Sequence, residues 1–255
     1  MRLLEGRVVA VTGGASGIGR AICMAAARYG ARAVVVADVR NDPVEGGRPT
    51  VDEVDALGAV GMFLNTDVTN QLHLIALFEA TLQLGGVDVM VCNAGIALPS
   101  DGPNMSTQDF RKITSINLDG VYFSAQGAAK QMQALGKQGS IILTSSMGGL
   151  RGSALTVVYS ATKGALCMMA KGLADALGPE GIRVNTVCPG VIDTHLVQSV
   201  PAVGAIAQQF VARTPLRRMG RPSEIGDAVA WLGSDLASFV SGIDLLVDGG
   251  LSSVL

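Results

Sequence analysis

Seven short apolar runs separated by helical patterns predict a doubly wound α/β fold with a mostly parallel seven-stranded sheet, in one domain spanning residues 1–255. Two further observations agree. A glycine-rich turn follows the first run and opens a helix. Several later runs end in Asp, Asn, Ser or Pro-Gly, at the carboxyl edge where open α/β sheets bind ligands. No internal repeat, low-complexity tract or interdomain linker interrupts the alternation.

Composition narrows the partners. The chain is 49% hydrophobic and 16% charged, with a mean hydropathy of +0.41. Yet no apolar run reaches the ~20 residues of a spanning helix, so no membrane partner is expected. The apolar residues sit in short Val/Ile/Ala runs, as in parallel strands covered on both faces. Net charge is −2, and no basic stripe recommends a nucleic acid. The densest cationic stretch, Arg213 to Arg221, is broken by Pro215, Met219 and Gly220 and reads as a solvated loop. Cys23, Cys92, Cys167 and Cys188 lack metal-like spacing and read as small core residues. The N-terminus shows no basic-then-apolar leader, so a cytoplasmic setting is expected.

The first strand is read at Arg7 to Thr12. Gly13-Gly14-Ala15-Ser16-Gly17-Ile18-Gly19 follows, then a helix from Arg20 to Tyr29. Strand, glycine turn and helix form the context of a dinucleotide site. Glycines admit a pyrophosphate close to the backbone, and the helix N-terminus meets its charge. The second run, Ala33 to Ala37, is closed by Asp38. A carboxylate there can accept from both ribose hydroxyls of NAD and repels the extra phosphate of NADP. A strand-end turn aspartate is the plainer alternative, and Arg40 nearby leaves NADP as the lesser expectation.

Asn41 to Pro49 reads as a surface loop, Val51 to Leu57 as a short helix and Val60 to Asn65 as the third strand. Asp67-Val68 stands where an adenine edge could be read; equally, Asp67 and Thr69 could cap the helix Gln71 to Leu84. His73 reads as a surface residue. The fourth strand, Val87 to Cys92, ends in Asn93-Ala94-Gly95, and a loop runs from Ile96 to Asp109. A long helix is read over Ser106 to Leu135, broken in propensity at Asn117 and Gly120. Such a break marks either a functional site or a bent helix.

Ser140 to Thr144 is the fifth strand, ending in Ser145-Ser146-Met147. Only two histidines exist and neither is near these serines in sequence, which disfavours a Ser-His-Asp hydrolase. The next helix, Ala154 to Ala176, carries Tyr159 and Lys163 one turn apart on one face. An ammonium beside a phenol favours the phenolate and would suit Tyr159 to proton transfer. Taken alone, the pair is also what the polar edge of an amphipathic helix carries. Ile182 to Val187 is the sixth strand, with Pro189-Gly190-Val191-Ile192-Asp193-Thr194 after it. A less regular segment to Arg221, a helix Ser223 to Gly233 capped by Ser223, and a last strand Asp244 to Val247 complete the chain.

In order, Thr12-Gly13-x-x-x-Gly17-Ile18-Gly19, Asp67-Val68, Asn93-Ala94-Gly95, Asn117, Ser146, Tyr159-x-x-x-Lys163, Pro189-Gly190 and Asp248-Gly249-Gly250 resemble the short-chain dehydrogenase/reductase family over nearly the whole length. Cys92 stands where that family usually has an asparagine. The resemblance implies a Rossmann-type fold and an NAD(H)-dependent oxidoreductase interconverting a secondary alcohol and a ketone. It implies Tyr159 as general acid/base, Lys163 as its tuner and ribose ligand, Ser146 on the substrate oxygen, and Asn117 in a water relay. Gly13, Ser16, Gly17, Ile18, Gly19, Asp38, Asp67, Val68, Asn93, Ala94, Gly95, Pro189 and Gly190 would line the cofactor. The Ile192 backbone and Thr194 would orient its carboxamide. Met147 and Leu196 would join Ser146 and Tyr159 around the substrate, with Leu98, Leu150, Val191 and Val197 as further apolar wall. Val197 to Gly204 reads as a mobile segment that could close over it. The resemblance also implies a homotetramer. A 3-oxoacyl-thioester reductase using NADPH, and a sugar or polyol dehydrogenase, are the enzymatic alternatives. A cofactor-binding but non-catalytic regulator is disfavoured by the complete Asn117, Ser146, Tyr159, Lys163 set.

Overall fold

A computed structural model of the chain describes residues 2–98, 102–199 and 201–254; the side chains of 196, 199 and 201–206 also lie outside the description. Seven strands form one sheet in the order β3-β2-β1-β4-β5-β6-β7, and every neighbouring pair is parallel. They are β1 (Val8–Thr12), β2 (Ala33–Asp38), β3 (Val60–Asn65), β4 (Val89–Cys92), β5 (Gly139–Thr144), β6 (Ile182–Pro189) and β7 (Asp244–Val247). The order reverses between β1 and β4, so their carboxyl ends open a crevice.

Helices cover both faces: α1 (Gly17–Arg28), α2 (Thr50–Ala56), α3 (Gln71–Gln83), α4 (Thr107–Thr114), α5 (Val121–Ala134), α6 (Val157–Leu177), α7 (His195–Ser199), α8 (Pro201–Arg213) and α9 (Pro222–Gly233). Alternate strand residues feed two cores. Val9, Val11, Val34 and Val36 pack with Ile22 of α1 and Ile225 and Val229 of α9. Ala10, Val35, Met90 and Ile141 pack with Leu77 of α3, Ala125 and Met132 of α5, and Leu166 of α6. Burial on both faces is why the strands lack polar alternation.

The structure corrects several boundaries. α1 begins at Gly17, not Arg20, so the glycine turn runs straight into the helix. β4 begins at Val89 rather than Val87. Asp88, just before it, keeps main-chain hydrogen bonds to Val8 and Ser140, while its buried carboxylate accepts from the Val8 amide at 2.7 Å and pairs with Lys137 at 2.6 Å. The segment before Arg221 holds α7 and α8. α3 is capped by Asn70, whose side chain accepts from Leu72, so the cap is neither Asp67 nor Thr69. α9 is capped at Arg221 rather than Ser223, because the Glu224 carboxylate turns back onto the Arg221 amide at 2.7 Å. The arginine-rich stretch is partly paired: Arg218 meets Glu224 at 2.7 Å. His73 is a backbone anchor, its Nδ1 accepting from the Asp67 amide at 3.0 Å.

Asp88 ties the start of β1 to the start of β4 through a buried amide. Asp88→Ala should leave that N–H unsatisfied and cost about 1–3 kcal/mol. Urea denaturation of the two proteins measures the difference.

Candidate active site

The site lies along the carboxyl ends of the strands, in a cleft of about 690 Å³. One end is built by the glycine turn. Gly13 and Gly17 have φ of 65° and 53°, values that a side chain resists. A Cβ on Gly19 would collide with the Gly13 carbonyl oxygen and crowd Asn93. The turn is fixed from β4. Thr12 Oγ1 accepts from the Asn93 and Ala94 amides at 3.0 and 3.1 Å. Asn93 Nδ2 donates to the Thr12 and Gly13 carbonyls at 3.1 and 3.2 Å. In this structure the Asn93 amide shapes the glycine turn.

Anion affinity at this end is visible within the chain. Glu45, from the loop after β2, places a carboxylate oxygen 2.8 Å from the Gly17 amide at the start of α1. A helix N-terminus favours negative charge there. Ser16 Oγ accepts from Val44 at 2.9 Å, pinning the same loop. Asp38, closing β2, faces the cleft. Its Oδ2 accepts from Ala15 at 3.0 Å and its Oδ1 from Arg40 at 3.3 Å. Each carboxylate oxygen keeps a further lone pair for a ligand hydroxyl. Asp67 is held below the usual carboxylate range by hydrogen bonds from Thr69, and with Val68 it lines the same wall.

The other end is built by β5 and α6. Lys163, buried in α6, donates Nζ to the Thr144 carbonyl at 2.8 Å. Ser145 Oγ donates to the Lys163 carbonyl at 2.8 Å. The helix is thus fastened to the end of β5 at both the side chain and the main chain of one residue. Ser146 Oγ accepts from Gly148 at 3.0 Å and hydrogen-bonds the Tyr159 hydroxyl. Burial raises the Tyr159 phenol above its ordinary 10.0, and the Ser146 contact partly offsets this. Burial lowers the Lys163 ammonium to about 8, with Cys188 and Cys167 opposing. The expected lowering of Tyr159 by Lys163 is therefore corrected: the phenol is raised by burial, and what opposes that is the Ser146 hydrogen bond, while the Lys163 ammonium stands 5.8 Å from the ring centroid.

Asn117 sits in a π-helical turn, Ser115–Gly120, between α4 and α5. That wider turn is where the local propensity breaks, and it directs the buried amide at the backbone of residue 96. Its Oδ1 accepts from Ile96 at 2.8 Å and its Nδ2 donates to Ile96 at 2.9 Å. Gly95 roofs the space beside it: a Cβ there would lie 3.3 Å from both Asn117 Oδ1 and Lys163 Nζ.

Gly13, Ser16, Gly17, Ile18, Gly19, Asp38, Asp67, Val68, Asn93, Ala94, Gly95, Ser146, Tyr159, Lys163, Pro189, Gly190, Ile192 and Thr194 converge on this cleft. Thr194 caps α7 through its carbonyl, and Ile192 forms a bridge with Gly220. Met147 begins a short 3₁₀ turn and is not among the residues lining the cleft. The Leu196 side chain, and part of the segment Val197 to Gly204, lie outside the described residues. Leu150 and Arg151 line a smaller pocket instead. Sequence reasoning placed Thr12 in the motif without giving it a role, and missed Glu45, Ile96 and Phe210. Thr12 alone carried a signal, as the hydroxyl that closes β1.

A glycine cradle with an anion-binding helix start and a ribose-competent carboxylate fits a nicotinamide dinucleotide. The comparisons agree. A family model described as "Enoyl-(Acyl carrier protein) reductase" matches residues 13–252. Cis-4-hydroxycyclohexanecarboxylate dehydrogenase of Sinomonas cyclohexanicum is 39% identical over 250 residues, covering 97% of each chain. L-rhamnose 1-dehydrogenase (NAD(P)(+)) of Azotobacter vinelandii is 36% identical over 250 residues, covering 98% of each. A crystal structure of a short-chain type dehydrogenase/reductase from Mycobacterium marinum superposes with a TM-score of 0.89 at 34% identity, covering 97% of this chain and 96% of that one. The fold and site define an NAD(P)-dependent oxidoreductase acting on a CH–OH group. The chain belongs to the short-chain dehydrogenase/reductase family.

The Lys163 shift makes stability depend on pH. Its folded value of about 8 lies below the ordinary 10.5, so the unfolded chain binds the extra proton between them. The Lys163 contribution should therefore rise with pH across that window. The difference in unfolding free energy between wild type and Lys163→Met, followed from pH 7 to 10 by urea denaturation, should show this slope.

Proposed function

We propose that the chain is an NAD(H)-dependent dehydrogenase that interconverts a secondary alcohol and a ketone, with Tyr159 as general acid/base. The observation that carries this reading is the hydrogen bond of Ser146 to Tyr159 on the wall of a cleft whose far end is Asp38. When bound along that cleft, the cofactor supplies or accepts the hydride. Tyr159 moves the proton on the substrate oxygen, and Ser146 donates to that oxygen as charge develops. A donor so placed is worth ~2.7–4 kcal/mol in the transition state. Lys163 spends one of its three donors on Thr144 and offers the others to the cleft. Asn117 acts as a positioning residue, holding Ile96 on the cleft wall through two hydrogen bonds. Glu45 leaves the Gly17 amide when a diphosphate takes its place.

The preference for NAD rests on Asp38, whose charge a second ribose phosphate would oppose. The same carboxylate disfavours an NADPH-dependent 3-oxoacyl-thioester reductase. Ile96, Val191, Val197 and Phe210 make one wall apolar, with His195 as its polar member. That wall supports a ring-bearing alcohol, in keeping with the cyclohexane acid and the sugar named for the relatives. The sugar-dehydrogenase reading stands as a variant of the same chemistry. A homotetramer is supported by Tyr122, Val157 and Met168, apolar side chains exposed on α5 and α6.

Tyr159→Phe should lower kcat by about 10²–10⁴-fold while NADH binding, followed by fluorescence, persists; a variant with near-normal turnover on a panel of cyclic alcohols would remove the assignment. The wild-type kcat/KM should favour NADH over NADPH by about tenfold or more, and Asp38→Ser should narrow that ratio. An NADPH preference in the wild type would overturn the cofactor reading.

A further inference from the structure

Beneath the catalytic helix lies a second cluster that the alcohol chemistry does not use. Cys167 of α6, Cys188 of β6 and Asp244 of β7 place their two Sγ atoms and a carboxylate oxygen within 4.8 Å of one another. The three residues come from three different elements, and both thiols are buried. We propose that Cys167, Cys188 and Asp244 form a binding site for one thiophilic divalent cation of the Zn²⁺ class, with a water or a neighbouring hydroxyl as fourth ligand.

The donor set fits such an ion. Two thiolates and one carboxylate are ordinary zinc ligands, with Zn–S of about 2.3 Å and Zn–O of about 2.0–2.2 Å. Tetrahedral ligand atoms at those distances stand about 3.5–4 Å apart, so the existing cluster closes on a metal by small side-chain adjustments. Soft sulfur ligands disfavour Mg²⁺ and Ca²⁺. Entry is from the Asp244 side, where the carboxylate retains 17% exposure.

The surroundings are polar where ligands need orienting. Thr186 Oγ1 donates to Asp244 Oδ1 at 2.7 Å and lies 3.6 Å from Cys188 Sγ. Ser145 Oγ lies 3.4 Å from Cys167 Sγ. Partners of this kind hold metal ligands in place. One group competes: Lys171 Nζ pairs with Asp244 Oδ2 at 2.5 Å. Lys171 is 42% exposed and can swing to solvent. Binding is balanced in charge: a dication enters as two thiol protons leave, so the buried cluster gains no net charge. Ser145 also holds the Lys163 carbonyl, so the ion would brace the strand end that positions the active site.

The test is a titration of the reduced full-length protein with Cd²⁺ and with Zn²⁺, in a phosphine reductant. One ion per chain is expected, with a thiolate-to-cadmium charge-transfer band, release of about two protons in weak buffer, and a higher Tm with Zn²⁺. Cys167→Ser and Cys188→Ser should each abolish the band, while Cys92→Ala retains it. Asp244→Asn should weaken binding about tenfold or more. Lys171→Met should strengthen it by removing the competing ammonium, a gain that a purely structural cluster would not show. Absence of a band in the folded reduced wild type, or a band that survives loss of either thiol, overturns the proposal. So does a Cys167–Cys188 disulfide found by mass spectrometry together with no metal uptake after reduction. Neither result depends on turnover, so the oxidoreductase reading stands or falls separately.

Discussion

Lys163 is held by the end of β5 from two directions. Its ammonium meets the Thr144 carbonyl, and its own carbonyl receives the Ser145 hydroxyl. A lysine buried in an apolar layer costs free energy unless such partners exist. Satisfying both ends of the residue locks the rotation and register of α6 against the sheet. Everything one turn away inherits that lock. Tyr159 is brought to Ser146, and Cys167 is brought to β6.

The dinucleotide end obeys a similar constraint with different groups. Here backbone carbonyls and amides at a strand end need partners, and side chains of the next strand supply them. Thr12 and Asn93 exchange hydrogen bonds across β1 and β4, at the point where strand order reverses. The glycine turn is therefore rigid at its start and open above, where the α1 amides face outward. Glu45 reaching the Gly17 amide shows that this opening attracts anions before any phosphate arrives.

Much of this was legible in the sequence because it rests on local rules. Period, glycine spacing and strand-end residues predicted the sheet, and Tyr159 and Lys163 share a face by helical geometry alone. The break at Asn117 and Gly120 was readable as a break. Its physical form, a π-helical turn aiming an amide at Ile96, was not, because the partner lies far off in sequence. Helix caps were misassigned for a related reason. Asn70 outcompeted Asp67 and Thr69, whose groups bond to each other, and Arg221 became a cap because Glu224 folds back onto it.

By itself, then, the sequence determined the fold class, the order of strands and helices along the chain, and a set of candidate site residues, most of which line one cleft. These follow from short-range chemistry that each segment carries with it. Only the tertiary structure decided the strand order in space and the balance of burial against the Ser146 hydrogen bond at Tyr159. It also decided the pairing of Asn93 with the glycine turn and the meeting of Cys167, Cys188 and Asp244. Those depend on atoms from separate elements and on how much water the packing excludes, and no spacing in the chain encodes either quantity.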